Sequence, residues 1–167
     1  MNGDQMKREM YQTQEKRQDR LVKPVLCTRS DAWLGYGYYF WGDLYDADNW
    51  GVQSKKNTGE YEIYKGVVES DNILDTVFSE EGYQFFLDAI NEVIEDCHKK
   101  SGRRIGTNDV CKFLMKKAMW QNFLDGVMFA DTPYTEIEKF NYRKRIQLVL
   151  YKLDCLVSFD FLKEGRC

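Results

Sequence analysis

Histidine, proline and long apolar runs are scarce in this chain of 167 residues. The one histidine, His98, sits beside Cys97, and no second pair of ligand-type residues has metal spacing, so no metal site is expected. Two prolines and no Gly/Ser-rich stretch exclude a repeat array, a disordered tail protein and a chain split by a linker. No apolar run approaches the roughly 20 residues that cross a bilayer, and no membrane partner is expected. Met1 to Arg20 is polar and charged, unlike a secretory signal. The five cysteines (Cys27, Cys97, Cys111, Cys155, Cys167) are odd in number and include no C-x-x-C. They read as reduced thiols of a cytoplasmic protein, not as a disulfide frame. An excess of one charge is also lacking. With 24 basic and 27 acidic residues the net charge is −3, so any nucleic-acid contact must come from a local patch.

What remains is ordinary for a globular domain in apolar (43%) and charged (31%) content, but rich in aromatics at 15%. Residues 1–167 are read as a single domain, with residues 1–20 as a polar arm or polar helix. Val22 to Cys27 is expected as a short strand, with Pro24 at an edge. Glu60 to Val68 has strand composition, and Asn72 to Phe78 is a short apolar segment. A helix is expected after Ser79, an N-cap followed by Glu80 and Glu81. Its apolar residues run from Phe86 to Cys97 at helical spacing, and Gly102 stops it. A second helix begins near Thr107 or Asn108. Gly126 to Ala130, Ile146 to Tyr151 and Leu156 to Leu162 complete the strands. Strands at both ends of a helical middle give the α+β class.

The most unusual stretch is Trp33-Leu34-Gly35-Tyr36-Gly37-Tyr38-Tyr39-Phe40-Trp41. Two glycines at spacing two permit a tight turn or close approach of a flat ligand, and the aromatics supply stacking faces. Equally, it reads as an aromatic core strand with a bulge. Gly35, Gly37, Tyr39 and Phe40, as G-x-G-x-Y-F, resemble the second-strand motif of ADP-ribosyltransferases, most closely the poly-ADP-ribose polymerase and diphtheria toxin branch. The resemblance implies a split β-sheet core with a helical insert and NAD as substrate. It also implies that Tyr39 stacks on nicotinamide, that Trp50, eleven residues on, supplies the second aromatic face, and that Ala47 faces the carboxamide. Trp50 stands where the family has Tyr, and Ala47 lacks the hydroxyl of the usual serine.

A second resemblance lies near the C-terminus. Ile146-Gln147-Leu148-Val149-Leu150-Tyr151 is similar to the late strand that opens on the family's catalytic Glu or Gln, which puts Gln147 in that position. The group there serves cleavage of the nicotinamide–ribose bond through an oxocarbenium-like state. A carboxylate stabilises that charge, whereas an amide orients the ribose with less electrostatic help. On period-2 geometry alone, Gln147 is a solvent-facing residue of an alternating strand.

Asp125 to Phe129 resembles the strand before the target-recognition loop of small bacterial members, which makes Asp131 to Arg145 that loop. It carries Tyr134, Lys139, Phe140, Tyr142, Arg143, Lys144 and Arg145, a mix that contacts phosphates and stacks bases or forms a solvated face. Arg145, two residues before Gln147, occupies the place of a Glu in arginine-directed toxins, so arginine-specific transfer is not expected. The family's first-strand His, often His-Gly-Thr, is missing. Gln12 or Thr13 within Glu9 to Thr13, or else Arg8 or Arg29, is the candidate to replace it. His98 falls on the middle helix.

Three readings follow. One is an NAD-dependent mono-ADP-ribosyltransferase, a toxin or phage-conflict effector with a protein or nucleic-acid acceptor and a neutralising antitoxin partner. The second is a catalytically inactive module of the same fold that binds nucleotide, nucleic acid or protein. The third is an unrelated fold in which the Gly/Tyr motif is a structural bulge.

Overall fold

The computed structural model of the protein describes residues 6–32, 34–102, 106, 109, 110, 112, 113, 120–131 and 144–167. Seven strands form one mixed sheet: β1 Met6–Glu15, β2 Tyr38–Trp41, β3 Glu60–Ser70, β4 Ile73–Asp75, β5 Gly126–Asp131, β6 Arg145–Leu150 and β7 Leu156–Arg166. Their spatial order is β4-β5-β6-β2-β1-β3-β7. Only β4 and β5 run parallel. Among the described residues, helices α1 (Leu44–Ser54), α2 (Glu80–Ser101) and α3 (Trp120–Phe123) accompany the sheet in an α+β architecture. No helix among the described residues is long and apolar enough to cross a membrane.

Helix α2 follows its local signals. Ser79 Oγ accepts a hydrogen bond from the Gly82 N–H at 3.1 Å, Glu80 and Glu81 occupy the first turn, and His98, Lys99 and Lys100 the last. Gly102 closes the helix at φ 61° and donates its N–H to the His98 carbonyl. Strands β5 and β6 are apolar because both of their faces are covered. Val127, Phe129 and Val149 pack with Leu34, Phe86, Val93 and Trp120 on one side, while Met128, Leu148 and Leu150 pack with Met10, Phe40 and Val68 on the other. Beneath α1, Trp41, Ala47, Tyr61 and Ile63 form a third cluster. By strand alternation Tyr39 and Trp41 share one face of the sheet, so this cluster lies on the same side as the α2 cluster.

Two expectations need correction, and one helix was not expected. The stretch read as a polar arm or helix contains β1, a central strand between β2 and β3, as the Glu9 to Thr13 alternative anticipated. Its charges are met across the ladder, Lys7 by Glu69 at 2.8 Å and Glu9 by Lys65 at 3.1 Å, while Met10, Gln12 and Thr13 are buried. Val22 to Cys27 is not a strand. Pro24 offers no N–H, the Val25 N–H goes to the Gln12 side chain, and only Cys27 bridges, to Gly37. Helix α1 had no counterpart in the expected elements; Asp43 caps it by accepting from the Asp46 N–H at 2.8 Å. Of the second expected helix, Asp109, Val110, Lys112 and Phe113 are helical, and the rest lies outside the described residues.

The junction that matters most is between β1 and β2. Strand β1 pairs with β3 from Met6 to Glu15, and β2 pairs with β6 from Tyr38 to Trp41. Strands β1 and β2 meet at one register pair, Tyr11 opposite Trp41. The sheet therefore parts into β4-β5-β6-β2 and β1-β3-β7.

Candidate active site

A cleft of about 790 Å³ opens where the two halves of the sheet part. Its size falls in the range of small-molecule sites. Strand β2 supplies Tyr39 and Trp41, β5 Phe129 and Asp131, β6 Arg145 and Gln147, and β1 Gln12 and Thr13. Trp50 of α1 and Lys55 stand at one side, and the segment from Val25 to Ala32 forms a wall. Gln147 is opposite Trp41 on one neighbouring strand and opposite Phe129 on the other, so the three side chains share one face.

Of the residues singled out from the sequence, Tyr39, Trp50 and Gln147 come together in this cleft. The Tyr39 hydroxyl donates to the Gly35 carbonyl at 2.8 Å and accepts from the Leu34 N–H at 3.0 Å, which fixes the ring. Trp50 packs against Trp41 with centroids 5.6 Å apart and planes at 48°. Gly35, Gly37 and Ala47, expected to contact the ligand, do not line the cleft. Gly35 sits at φ 79°, a conformation that favours glycine. Gly37 leaves no space for a side chain against Val149 and the Leu150 carbonyl. Ala47 is fully buried, and its carbonyl accepts from Thr13 Oγ1 at 2.7 Å, tying α1 to β1. These three residues shape the cleft through turn, packing and tether.

The expected target loop from Asp131 to Arg145 begins and ends differently. Asp131 closes β5, Arg145 opens β6, and the two are register partners joined by an ion pair. Lys144 is exposed just before β6. Tyr134, Lys139, Phe140, Tyr142 and Arg143 lie outside the described residues. Of the candidates for the missing first-strand group, Gln12 and Thr13 line the cleft. So does Arg29, whose guanidinium holds both Asp31 oxygens at 2.9 and 2.6 Å. Arg8 lies over the Phe78 ring at 4.2 Å, and His98 is exposed in the last turn of α2.

Gln12 is the buried polar centre of the β1 wall. Its Oε1 accepts from the Val25 N–H at 2.8 Å, and its Nε2 donates to the Val25 and Tyr39 carbonyls at 3.3 and 3.2 Å. One side chain thus joins β1, β2 and the 25–32 wall. Asp131 Oδ2 takes Arg145 Nη2 and, at 3.5 Å, Gln147 Nε2. The Arg145 guanidinium also lies 5.6 Å from the Trp41 ring centroid. Burial pushes the Lys55 ammonium below the usual lysine range, against a longer-range pull from Glu15.

Trp41, Lys55 and the 25–32 wall apart from Arg29 were not singled out as site residues, and Asp131 was expected only as the first residue of the target loop. Only Trp41 carried a signal, two positions from Tyr39 on a strand. Aromatic surface from Tyr39, Trp41 and Trp50 beside the Gln147 amide and the Asp131–Arg145 ion pair suits a flat ring with polar substituents. Among the described residues no three His, Cys, Asp or Glu side chains converge as metal ligands. Comparison with protein-family models, curated proteins and solved structures finds no match for the chain.

Proposed function

We propose that the chain is an NAD-dependent mono-ADP-ribosyltransferase with an ADP-ribosyltransferase-like split sheet, acting in the cytoplasm as a toxin or phage-conflict effector. The observation that carries this reading is convergence. Gln147 lies far in sequence from Tyr39 and Trp50, the motif resemblance points to all three, and they line one cleft together with Gln12. Tyr39 and Trp50 present the aromatic faces for nicotinamide. Gln147 orients the ribose from β6, and Gln12 takes the first-strand position. An acceptor on a protein or nucleic acid displaces nicotinamide, and an antitoxin protein that covers the cleft fits the toxin role.

The test is nicotinamide release from NAD by the purified protein, with and without cell lysate. Tyr39→Ala and Gln147→Ala are each expected to lower turnover at least 100-fold while the protein stays folded, in line with loss of a positioned group. Full turnover in both variants would remove the site assignment. A second reading, a non-catalytic nucleotide-binding module, is favoured by one observation: the Gln147 amide is neutral and is directed to Asp131. Under that reading NAD binds, Tyr39→Ala weakens binding, and no nicotinamide appears.

A further inference from the structure

An oxocarbenium-like transition state calls for negative charge beside the anomeric carbon, and Gln147 has none to offer. The described cleft holds two lining carboxylates, Asp31 and Asp131. Asp31 is spent: Arg29 Nε and Nη2 engage its two oxygens, and it is exposed on the 25–32 wall. Asp131 differs in three respects. It lies on the strand next to Gln147, two residues after Phe129, which is the register partner of Gln147, so its side chain shares their face. Its Oδ2 lies 3.5 Å from Gln147 Nε2. Arg145 and Gln147 both bind Oδ2, and Oδ1 takes no hydrogen bond among the described residues.

We infer that Asp131 is the catalytic carboxylate of this cleft, supplied from β5 because the β6 position holds an amide; the inference rests on the transferase reading above. The Gln147 amide and the Arg145 guanidinium then act as positioning groups that hold Oδ2, and Oδ1 faces the reacting ribose. In the reaction the C1′–N1 bond of the nicotinamide riboside breaks, and its electron pair leaves with nicotinamide. Asp131 stabilises the positive charge that develops on the ribose. A lone pair of the acceptor forms the new bond to C1′, and the acceptor's proton passes to Oδ1. With water as acceptor the products are ADP-ribose, nicotinamide and a proton. A carboxylate carried by the adjacent strand does electrostatic and base work that a merely structural Arg145 partner does not.

The experiment compares nicotinamide release by the parent chain, Asp131→Asn, Gln147→Glu and the Asp131→Asn/Gln147→Glu pair, with NAD binding and thermal melting recorded for each. Asp131→Asn is expected to lower kcat about 100-fold with KM for NAD changed less than about threefold, as for loss of a transition-state contact. Moving the charge one strand over, in the double variant, is expected to restore at least tenfold of the loss. Asp131→Asn within about threefold of the parent, or a folded, NAD-binding double variant as inactive as Asp131→Asn, overturns the inference. A parent chain that releases no nicotinamide with or without lysate is a different failure, that of the transferase reading itself. An active parent with an active Asp131→Asn leaves the transferase reading standing and removes only Asp131.

Discussion

Strands β1 and β6 flank β2's half of the cleft from opposite sides, and they are built by different means. Strand β6 is apolar, with Leu148, Val149 and Leu150 fully buried between two clusters. Strand β1 buries Met10 but also Gln12 and Thr13, and hydrogen bonds to Val25, Tyr39 and Ala47 hold them in place. A strand inside two cores is stabilised by area removed from water. A strand at a parting sheet has a cleft on one side, so its inward residues are polar and paired. The same sheet thus contains one strand that hydropathy reveals and one that it conceals.

The contrast can be broken at its apolar side first. Leu148→Ala removes a fully buried side chain between Met10, Phe40 and Met128, and a loss of about 2–5 kcal/mol in urea unfolding is expected. Next comes the polar side. Gln12→Leu keeps the bulk but leaves the Val25 N–H and two carbonyls without their partner, a cost of about 1–3 kcal/mol. Unlike Leu148→Ala, it should also loosen the 25–32 wall. Weaker NAD binding out of proportion to the lost stability, measured by calorimetry below the melting temperature, sharpens the comparison; a proportionate loss erases it.

The smallest effect is a pH signature of the β1-β3-β7 half. Burial, then the hydrogen bond to Asp48 at 2.8 Å, raises the Tyr61 phenol from 10.0 to about 12. The folded state therefore favours the neutral phenol. Its contribution is complete below pH 10, where the unfolded phenol is still protonated, and is lost as pH rises through about 12. Unfolding curves between those values should fall more steeply for the parent than for Tyr61→Phe. Identical slopes would mean that the phenol ionises equally well in both states.

The elements with self-contained signals were legible in the sequence. Helix α2 carried its cap, its apolar stripe and its Gly102 stop, and β3, β5, β6 and β7 carried apolar or β-branched runs. Strand β1 was ambiguous because its inward side chains are polar. Helix α1 escaped because its Asp43 cap stands in a stretch dominated by aromatics and acidic residues. In the candidate site, Tyr39, Trp50 and Gln147 were legible through motif order. Gly35, Gly37 and Ala47 were located with them, yet their part is backbone shape and packing, which a motif cannot separate from ligand contact. Asp131 was legible only as the start of the expected target loop, because its place beside Gln147 depends on register: only the pairing of Asp131 with Arg145 puts it one strand from Gln147.

Composition, caps and periodicity by themselves determined an α+β domain, the α2 helix and most strands, since each of these depends on neighbours in the chain. The tertiary structure decided that the sheet parts at Tyr11 and Trp41, that Gln12 joins three segments there, and that Asp131 stands beside Gln147. Those facts rest on contacts between residues far apart in sequence, whose pairing is set by how the sheet closes and not by any local preference.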